Sequence, residues 1–114
     1  MYQPFNIGSN FRIAPPDHSA ASYGRIDLVM QRGAFGSGEH ETTVSCLEVL
    51  ESFPEVNGAQ VLDLGSGTGI LAIAALKLKA AHTVCVDIEP SAVETAQINF
   101  QLNNLDEQAT HITG

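Results

Sequence analysis

The sequence predicts an α/β fold in which helices flank a parallel sheet. Three short apolar segments of strand type occupy Gln60–Leu64, 83–87 and 110–113. Two segments with a helical pattern lie between them, and a glycine-rich turn at 65–69 directly follows the first strand. Because strand and helix alternate at this spacing, we expect the strands to run parallel with right-handed crossovers.

Each predicted helix rests on its own pattern. Residues 70–79 are apolar nearly all round, as in a helix that is buried against a sheet. Ser91 and Glu94 form a capping-box pattern that predicts the start of the next helix, which runs to about Asn103. Upstream, apolar residues recur at helical spacing over about 42–53, and a proline and a glycine after them are expected to end that helix.

The first third of the chain has a looser pattern. Segments 11–13 and 25–30 are of strand type, a loop rich in Pro, Ser and Ala separates them, and a glycine-rich turn follows. We therefore expect one domain over 1–114, in which 1–38 is a lead-in of strands and loops and 39–114 is a βαβα core.

Length and charge limit the classes of function. The 114 residues are enough for one domain, and thirteen acidic against five basic residues give a net charge of −8. Because phosphate binding needs a basic face, this charge argues against direct nucleic-acid binding and favours a basic protein partner.

Other sequence features bear on the environment of the protein. No apolar run reaches membrane-spanning length, and the N-terminus lacks the pattern of a signal peptide. Cys46 and Cys85 lie in apolar patterns and are interpreted as small core residues. No His or Cys cluster has metal-ligand spacing. We therefore expect a cytoplasmic protein with no metal and no membrane contact.

The chemistry is expected at the turn formed by 65–69. Its glycines let backbone N–H groups approach a ligand without a Cβ clash, and the following helix presents free N–H groups. Asp87 ends the next strand, 22 residues after Gly65. A carboxylate at this place can accept hydrogen bonds from both ribose hydroxyls of a nucleoside. Turn and acid together predict a site for an adenosine-containing cofactor.

The form of the turn distinguishes two such cofactors. The dinucleotide fingerprint is G-x-G-x-x-G, whereas this chain has G-x-G-x-G with Ile70 at the next position. Asp63 precedes the turn, where it would repel the pyrophosphate of NAD but attract the ammonium group of S-adenosylmethionine. We therefore expect Asp63, Ser66 and Gly67 to contribute to an S-adenosylmethionine site, with a nicotinamide-dependent dehydrogenase as the less favoured alternative.

Several segments match a known family. Residues 61–75 resemble the first motif of class I methyltransferases, and the apolar end of this segment, Ile-Leu-Ala-Ile-Ala-Ala, is similar to the PrmA family of ribosomal protein L11 methyltransferases. Residues 33–43 resemble the signature A-F-G-T-G-x-H-x-T-T of that family, with Ser37 in place of a threonine. Residues 86–90 and Asn103 also fit. The resemblance covers essentially the whole chain.

The resemblance implies a Rossmann-like class I methyltransferase fold and S-adenosylmethionine as the cofactor. It implies that Thr43, Gly65 and Asp87 bind the cofactor, and Ile88 is placed to cover one face of the adenine. For His40 the family pattern indicates a role in shaping the cofactor loop, and a histidine that only packs is the alternative.

The reaction implied by the resemblance is methyl transfer to amino groups of ribosomal protein L11 or a similar protein, by in-line displacement at a sulfonium methyl. Full family members carry a substrate-recognition domain and further strands, so we expect a chain truncated at both ends, with only the N-terminal part of the sheet, and inactive alone. Arg32 stands where the family usually has proline. No residue is assigned as the catalytic base. A non-catalytic cofactor-binding or interaction module is the main alternative.

Overall fold

The computed structural model describes residues 4–16, 24–31 and 40–114, except for the side chains of 40 and 41. These residues form two three-stranded sheets and three α-helices. In chain order the elements are β1 (Phe5–Ile7), β2 (Phe11–Ala14), β3 (Ile26–Val29), α1 (His40–Glu51), β4 (Gln60–Leu64), α2 (Ile70–Lys77), β5 (His82–Asp87), α3 (Pro90–Leu102) and β6 (Ala109–Thr113). Short 3₁₀ turns at Pro54–Val56 and Asp106–Gln108 precede β4 and β6.

Strands β4, β5 and β6 form a parallel sheet with β5 in the centre, so the predicted α/β fold is confirmed. Strand β4 has the predicted bounds, and β5 begins one residue before the predicted start. The Gly114 N–H donates to the Asp87 carbonyl at 3.0 Å, so pairing continues to the end of β5. Parallel pairing places the turns that follow β4 and β5 at the same edge of the sheet.

Helices α2 and α3 cover one face of this sheet. Six of the eight residues of α2 are buried, as its continuous apolar sequence predicted. The strands direct Thr83 and Cys85 into the same interior, where both are buried. Helix α2 ends two residues before the predicted end, because Lys79 adopts a left-handed conformation with φ of +79°.

The predicted capping box at Ser91 and Glu94 is wrong. Helix α3 is preceded by Glu89, whose side chain makes no capping hydrogen bond, and Pro90 occupies its first turn. Proline fits this place because its fixed φ is helical and the N–H that it lacks would have no partner within the helix. Ser91 therefore lies inside α3, where its carbonyl accepts a 3.0 Å hydrogen bond from the Thr95 hydroxyl.

Helix α1 begins two residues before the predicted start and ends at Glu51. Phe53, which the periodic pattern placed on the apolar face of this helix, lies beyond its end and is 51% exposed. Cys46 on the same helix is half-buried, whereas Cys85 is buried as predicted, and both are free thiols.

The first sheet has mixed pairing. Strand β1 runs antiparallel to β2, and β3 runs parallel to β2. The predicted strands around Phe11 and Leu28 are confirmed, but β1 was not predicted because its three residues are too few to show an alternating pattern. All four residues of β2 are buried, and Arg12 among them pairs with Asp27 through Nε and Oδ1 at 2.8 Å.

One apolar cluster joins this sheet to the second part of the chain. Ile7, Phe11 and Leu28 belong to the same buried cluster as Ile70 and Ile73 of α2. The lead-in strands are therefore packed on the helices of the parallel sheet, and β3 ends beside them.

The opposite face of the parallel sheet is apolar and exposed. Leu62, Leu64 and Ile112 are 62%, 72% and 45% exposed. Parallel sheets are usually covered on both faces, and here helices cover one. Over the described ranges, no helix has the length and apolar character needed to cross a membrane.

Candidate functional site

The turn between β4 and α2 requires its glycines. Gly65, Gly67 and Gly69 have φ values of +71°, +55° and +83°, a region that other residues enter only with strain. The N–H groups of Gly65 and Ser66 both donate to the Val86 carbonyl, at 2.7 and 3.1 Å. These bonds attach the start of the turn to β5, at the edge of the sheet where β4 and β5 end.

The two halves of the turn have different surroundings. A Cβ added at Gly65 or Gly67 would meet no atom of the described residues within 4 Å. A Cβ added at Gly69 would lie 2.9 Å from Cε2 of Phe100 on α3. We call 65–67 the open side of the turn and 68–69 its packed side. The open side leaves space beside the backbone for a ligand, whereas the packed side is in contact with α3.

Asp87 lies at the open side of the turn. Its Oδ2 accepts a 2.9 Å hydrogen bond from the Gly67 N–H, and its Oδ1 accepts a 3.0 Å bond from the Glu89 N–H. These backbone hydrogen bonds, first that of Glu89 and then that of Gly67, hold the pKa of the Asp87 carboxyl below its usual value. Asp87 is therefore a carboxylate with a fixed position and with lone pairs left for further donors.

The environment of Asp63 is less favourable to a charged carboxylate than that of Asp87. Its Oδ2 is buried and has no hydrogen-bond partner among the described residues. Burial, and then the negative charge of Asp87, raises the pKa of the Asp63 carboxyl. The two acids that the sequence singled out are thus close enough to interact electrostatically. A cation between them and the turn would satisfy the unpartnered oxygen and offset the repulsion.

Asp63 also contributes to the wall of an apolar cavity of about 400 Å³ between α1, β4 and α2. The lining residues are Ser45, Cys46, Val49, Leu50, Val61, Leu62, Asp63, Leu71, Ala72 and Ala75. Among its described lining residues, Asp63 carries the one charged side chain.

The remaining predicted residues are at varying distances from this centre. Ile88 directly follows Asp87 and is 75% exposed, so its side chain is free to contact a ligand. Thr43 is half-buried in the first turn of α1, where backbone N–H groups have no partner within the helix. Within the described residues, the Thr43 side chain makes no hydrogen bond with the glycine turn. The predicted turn at 33–38 and the side chain of His40 lie outside the described residues.

Sequence reasoning missed Asn99 and noted Asn103 only as a residue that fits the family, without a contact. Asn99 on α3 is 0% exposed, and Asn103, directly after the end of α3, is 6% exposed. The Asn99 side chain donates to the Thr68 carbonyl at 3.0 Å and accepts from the Gln31 N–H at 2.9 Å. The sequence did contain a signal for these residues, namely two asparagines four residues apart, at helical spacing. Since buried amides need hydrogen-bond partners, such a pair predicts contacts to a neighbouring backbone.

No group of three or more His, Cys, Asp or Glu side chains suited to a metal ion occurs in the described part of the chain. Among the described residues, the polar groups at this edge of the sheet include the backbone of the turn and the two carboxylates. The arrangement is therefore suited to an organic ligand that carries hydroxyl groups and a positive charge.

The chain has a parallel sheet with a glycine turn after the first strand of that sheet and a carboxylate after the second. This combination defines it as a Rossmann-like protein of the class I methyltransferase type. The ribosomal protein L11 methylase of Lactobacillus delbrueckii subsp. bulgaricus has a similar crystal structure, with a TM-score of 0.82 and 30% sequence identity over 96% of this chain and 56% of that one. The Trypanosoma brucei PRMT1 enzyme–prozyme complex with AdoHcy is similar over 67% of this chain and 24% of its own, with a TM-score of 0.61 and 27% identity.

Sequence comparison gives the family. The profile of the ribosomal protein L11 methyltransferase family, PrmA, matches residues 1–113, and the chain belongs to this family. The ribosomal protein L11 methyltransferase of Ectopseudomonas mendocina is 42% identical over 106 residues, which are 92% of this chain and 36% of that protein. The chain thus spans about a third of the length of this curated relative.

Proposed function

We propose that this chain binds S-adenosylmethionine at the glycine turn and forms the cofactor-binding part of an enzyme that methylates a ribosomal protein. The observation that carries the proposal is the open side of the turn. There the described residues leave free space at Gly65 and Gly67, Asp87 is fixed by the Gly67 N–H, and a carboxylate oxygen of Asp63 has no described partner. A nucleoside with an attached ammonium group matches these three features.

The donors and acceptors of the chain fit this cofactor. Asp87 retains acceptor capacity for the ribose hydroxyls, and Ile88 beside it offers an exposed apolar surface to the adenine. Asp63 supplies the negative charge for the methionyl ammonium group. Thr43 and the free N–H groups at the start of α1 are donors for the methionyl carboxylate. Gly65, Ser66 and Gly67 provide backbone that a ligand can approach closely.

The same charges disfavour NAD. Two carboxylates at one edge of the sheet would repel a pyrophosphate. The pKa of Asp63 is raised by burial and by the charge of Asp87, so a further negative group beside it would be unfavourable. When bound, S-adenosylmethionine supplies a methyl group on a positively charged sulfur. The contribution of this chain is to hold that group in a fixed direction and to exclude water from one side of it.

We also propose that the substrate is a basic ribosomal protein. The Ectopseudomonas mendocina relative is a ribosomal protein L11 methyltransferase, and the similar Lactobacillus delbrueckii structure is a ribosomal protein L11 methylase. The net charge of −8 would attract a basic protein. The nucleophile would be an amine, for which no described residue is assigned as base. We also propose a cytoplasmic location, which the two free thiols favour, and a division into a lead-in at 1–38 and a core at 39–114.

A non-catalytic binding or interaction module is a second candidate. The exposed apolar side chains of Leu62, Leu64 and Ile112 favour it, because such a surface is typical of protein contacts. The two candidates differ in turnover. Because the chain alone is expected to be inactive, the assay uses a protein of the relatives' length in which this sequence replaces the matched third. Transfer of a labelled methyl group to purified ribosomal protein L11 supports the enzyme, whereas cofactor binding without label transfer by that protein supports the module.

Calorimetry tests the cofactor. We expect S-adenosylhomocysteine, the demethylated product, to bind more tightly than NAD. Methylthioadenosine shares its nucleoside but lacks the ammonium and carboxylate groups, so it is the matched ligand for the role of Asp63. Asp63→Asn should weaken S-adenosylhomocysteine by about tenfold and leave methylthioadenosine nearly unchanged. Tighter binding of NAD would contradict the proposal.

A further inference from the structure

The amide side chain of Asn99 joins two segments that are distant in sequence. Its Oδ1 accepts the Gln31 N–H at 2.9 Å, and its Nδ2 donates to the Thr68 carbonyl at 3.0 Å. Gln31 follows β3 and is the last described residue before the glycine-rich segment that leads to α1. Thr68 lies on the packed side of the glycine turn. One fully buried side chain therefore contacts both the glycine turn and the backbone that follows β3.

Asn103 fixes the strand that leads to Gln31. Its Oδ1 accepts the Val29 N–H at 2.9 Å, and its Nδ2 donates to the Val29 carbonyl at 2.7 Å. The same Nδ2 lies 2.7 Å from the Asn99 carbonyl and donates to it as well. The Asn103 amide thus pairs with both backbone groups of Val29, as a neighbouring strand would, and attaches the end of β3 to the residue after α3. Among the described residues, Asn103 makes no hydrogen bond to the glycine turn.

The contact at Thr68 controls the direction of a peptide group. Within one planar trans peptide, the Thr68 carbonyl and the Gly69 N–H point in opposite directions. The carbonyl points to Asn99, and the Gly69 N–H donates to the Ser66 carbonyl at 2.9 Å. The hydrogen bond from Asn99 therefore favours the peptide orientation that closes the turn.

Packing at the next residue of α3 supports the same geometry. Phe100 lies so close to Gly69 that a Cβ there would be 2.9 Å from Cε2 of its ring. Helix α3 thus approaches the turn through a hydrogen bond at Thr68 and an apolar contact at Gly69. Neither contact uses the open side, which remains available to a ligand.

From this geometry we propose that Asn99 is a positioning residue that holds the glycine turn and the Gln31 backbone after β3 in one fixed arrangement. The inference rests on the proposed function, because it assigns the purpose of this arrangement to cofactor binding. Asn99 does not touch the open side of the turn. It acts through the Thr68 carbonyl on one side and the Gln31 N–H on the other.

The variant Asn99→Asp separates the two hydrogen bonds. It keeps an acceptor for the Gln31 N–H but replaces the donor to Thr68 with a carboxylate oxygen. At about pH 8 the carboxylate repels the Thr68 carbonyl, whereas at about pH 5.5 a buried carboxyl is protonated and donates to it. We expect S-adenosylhomocysteine to bind the variant about tenfold more weakly than the wild type at the higher pH, and nearly as well at the lower pH.

Asn103→Asp, at the residue directly after α3, is the matched control. It makes the same chemical change one turn away, against Val29 instead of the glycine turn. We expect it to lower the urea midpoint of unfolding, with an affinity relative to wild type that does not vary with pH. Each ratio is taken against the wild type at the same pH, so that titration of His111, which contacts Phe100, cancels. A purely structural role for Asn99 would give both variants the same pH-independent ratio and would overturn the proposal.

Amide hydrogen exchange tests the coupling without a cofactor. In unliganded Asn99→Asp at about pH 8, we expect faster exchange than in the wild type at the Gly69 N–H. Unchanged exchange there would overturn the inference, even if cofactor binding is observed. Failure of the wild type to bind S-adenosylhomocysteine would instead reject the proposed function, while the exchange result still decides the role of Asn99 in the turn.

A measurement on the wild type covers the case in which Asn99→Asp does not fold. Addition of S-adenosylhomocysteine should slow exchange at the Gly69 N–H and also at the Gln31 N–H, because Asn99 connects the two. Protection confined to the turn would contradict the proposed coupling.

Discussion

The open and packed sides of the glycine turn differ in what their backbone contacts. On the packed side, Thr68 and Gly69 meet a hydrogen bond and an aromatic ring from α3. On the open side, Gly65 and Gly67 face free space, and the nearby polar group is a carboxylate fixed by the Gly67 N–H. A sequence motif that looks uniform therefore combines a half that packs on α3 and a half that we propose to bind the ligand.

Hydrogen bonding and charge also differ between the packed and open sides of the turn. The amide of Asn99 behind the packed side has partners for both its donor and its acceptor. Asp63 and Asp87 near the open side carry like charges, and Oδ2 of Asp63 has no partner among the described residues. Substitution of Gly69, which packs on α3, should therefore change mainly folding, and substitution of Asp87 at the open side mainly ligand binding.

The largest effect is expected on the packed side. Gly69→Ala should lower the free energy of unfolding by about 3 kcal/mol, because the added Cβ both requires a strained φ and collides with Phe100. Gly58→Ala is the control, since Gly58 has a similar φ of +77° but no atom within 4 Å of the added Cβ. It should lose about 1 kcal/mol. Urea unfolding of both variants measures the difference, and equal losses would show that α3 does not restrict the turn.

On the open side, Asp87→Ala should weaken binding of S-adenosylhomocysteine by about 1.5–3 kcal/mol, the usual range for hydrogen bonds to a charged group. Part of this loss comes from the Gly67 N–H, which would no longer have its acceptor. Asp106→Ala removes an equal charge from an exposed 3₁₀ turn and should leave the affinity unchanged. Calorimetry measures the affinity of both variants for S-adenosylhomocysteine. An unaltered dissociation constant in folded Asp87→Ala would reject the ribose-binding role.

Asp63→Asn is expected to stabilise the unliganded chain by roughly 1 kcal/mol near neutral pH, because an amide replaces a carboxylate with a buried, unpartnered oxygen. The pKa of Asp63 is raised in the folded state from an ordinary value of 3.8. Folding therefore favours the protonated form, and the contribution of Asp63 to stability decreases as pH rises from 3.8 through the folded pKa. Thermal unfolding across this range should show the gain of the variant growing with pH. A gain that is constant with pH would assign it to packing instead of charge.

The smallest effect concerns His111, whose ring meets Phe100 edge-on with centroids 4.9 Å apart. Burial lowers the pKa of His111 from its ordinary 6.5, and Nδ1 has no partner among the described residues. As pH falls below 6.5 the unfolded chain takes up the proton first, so stability should decrease down to the folded pKa. His111→Leu should lack this component, which we expect to be below about 1 kcal/mol. Denaturant unfolding at several pH values measures it; parallel curves for the two proteins would contradict the assignment.

Prediction from sequence worked best where one local pattern was sufficient. The parallel strands and the glycine turn were predicted because apolar runs, helical spacing and glycines are each visible within a few residues. Strand β1 was missed because three residues show no period, and its position depends on pairing with β2. The capping box was wrong because Pro90 competes for the first turn of the helix.

The sequence by itself determined the order of strands and helices, the conformation of the turn and the place of Asp87 at the end of β5. These follow from the periodicity of buried residues and from the restriction of left-handed backbone to glycine. The tertiary structure alone decided which side of the turn is packed, which oxygen of Asp63 lacks a partner, and which segments Asn99 joins. Each of these depends on contacts across 20 or more residues, such as Thr68 with Asn99 at a separation of 31, that local patterns do not specify.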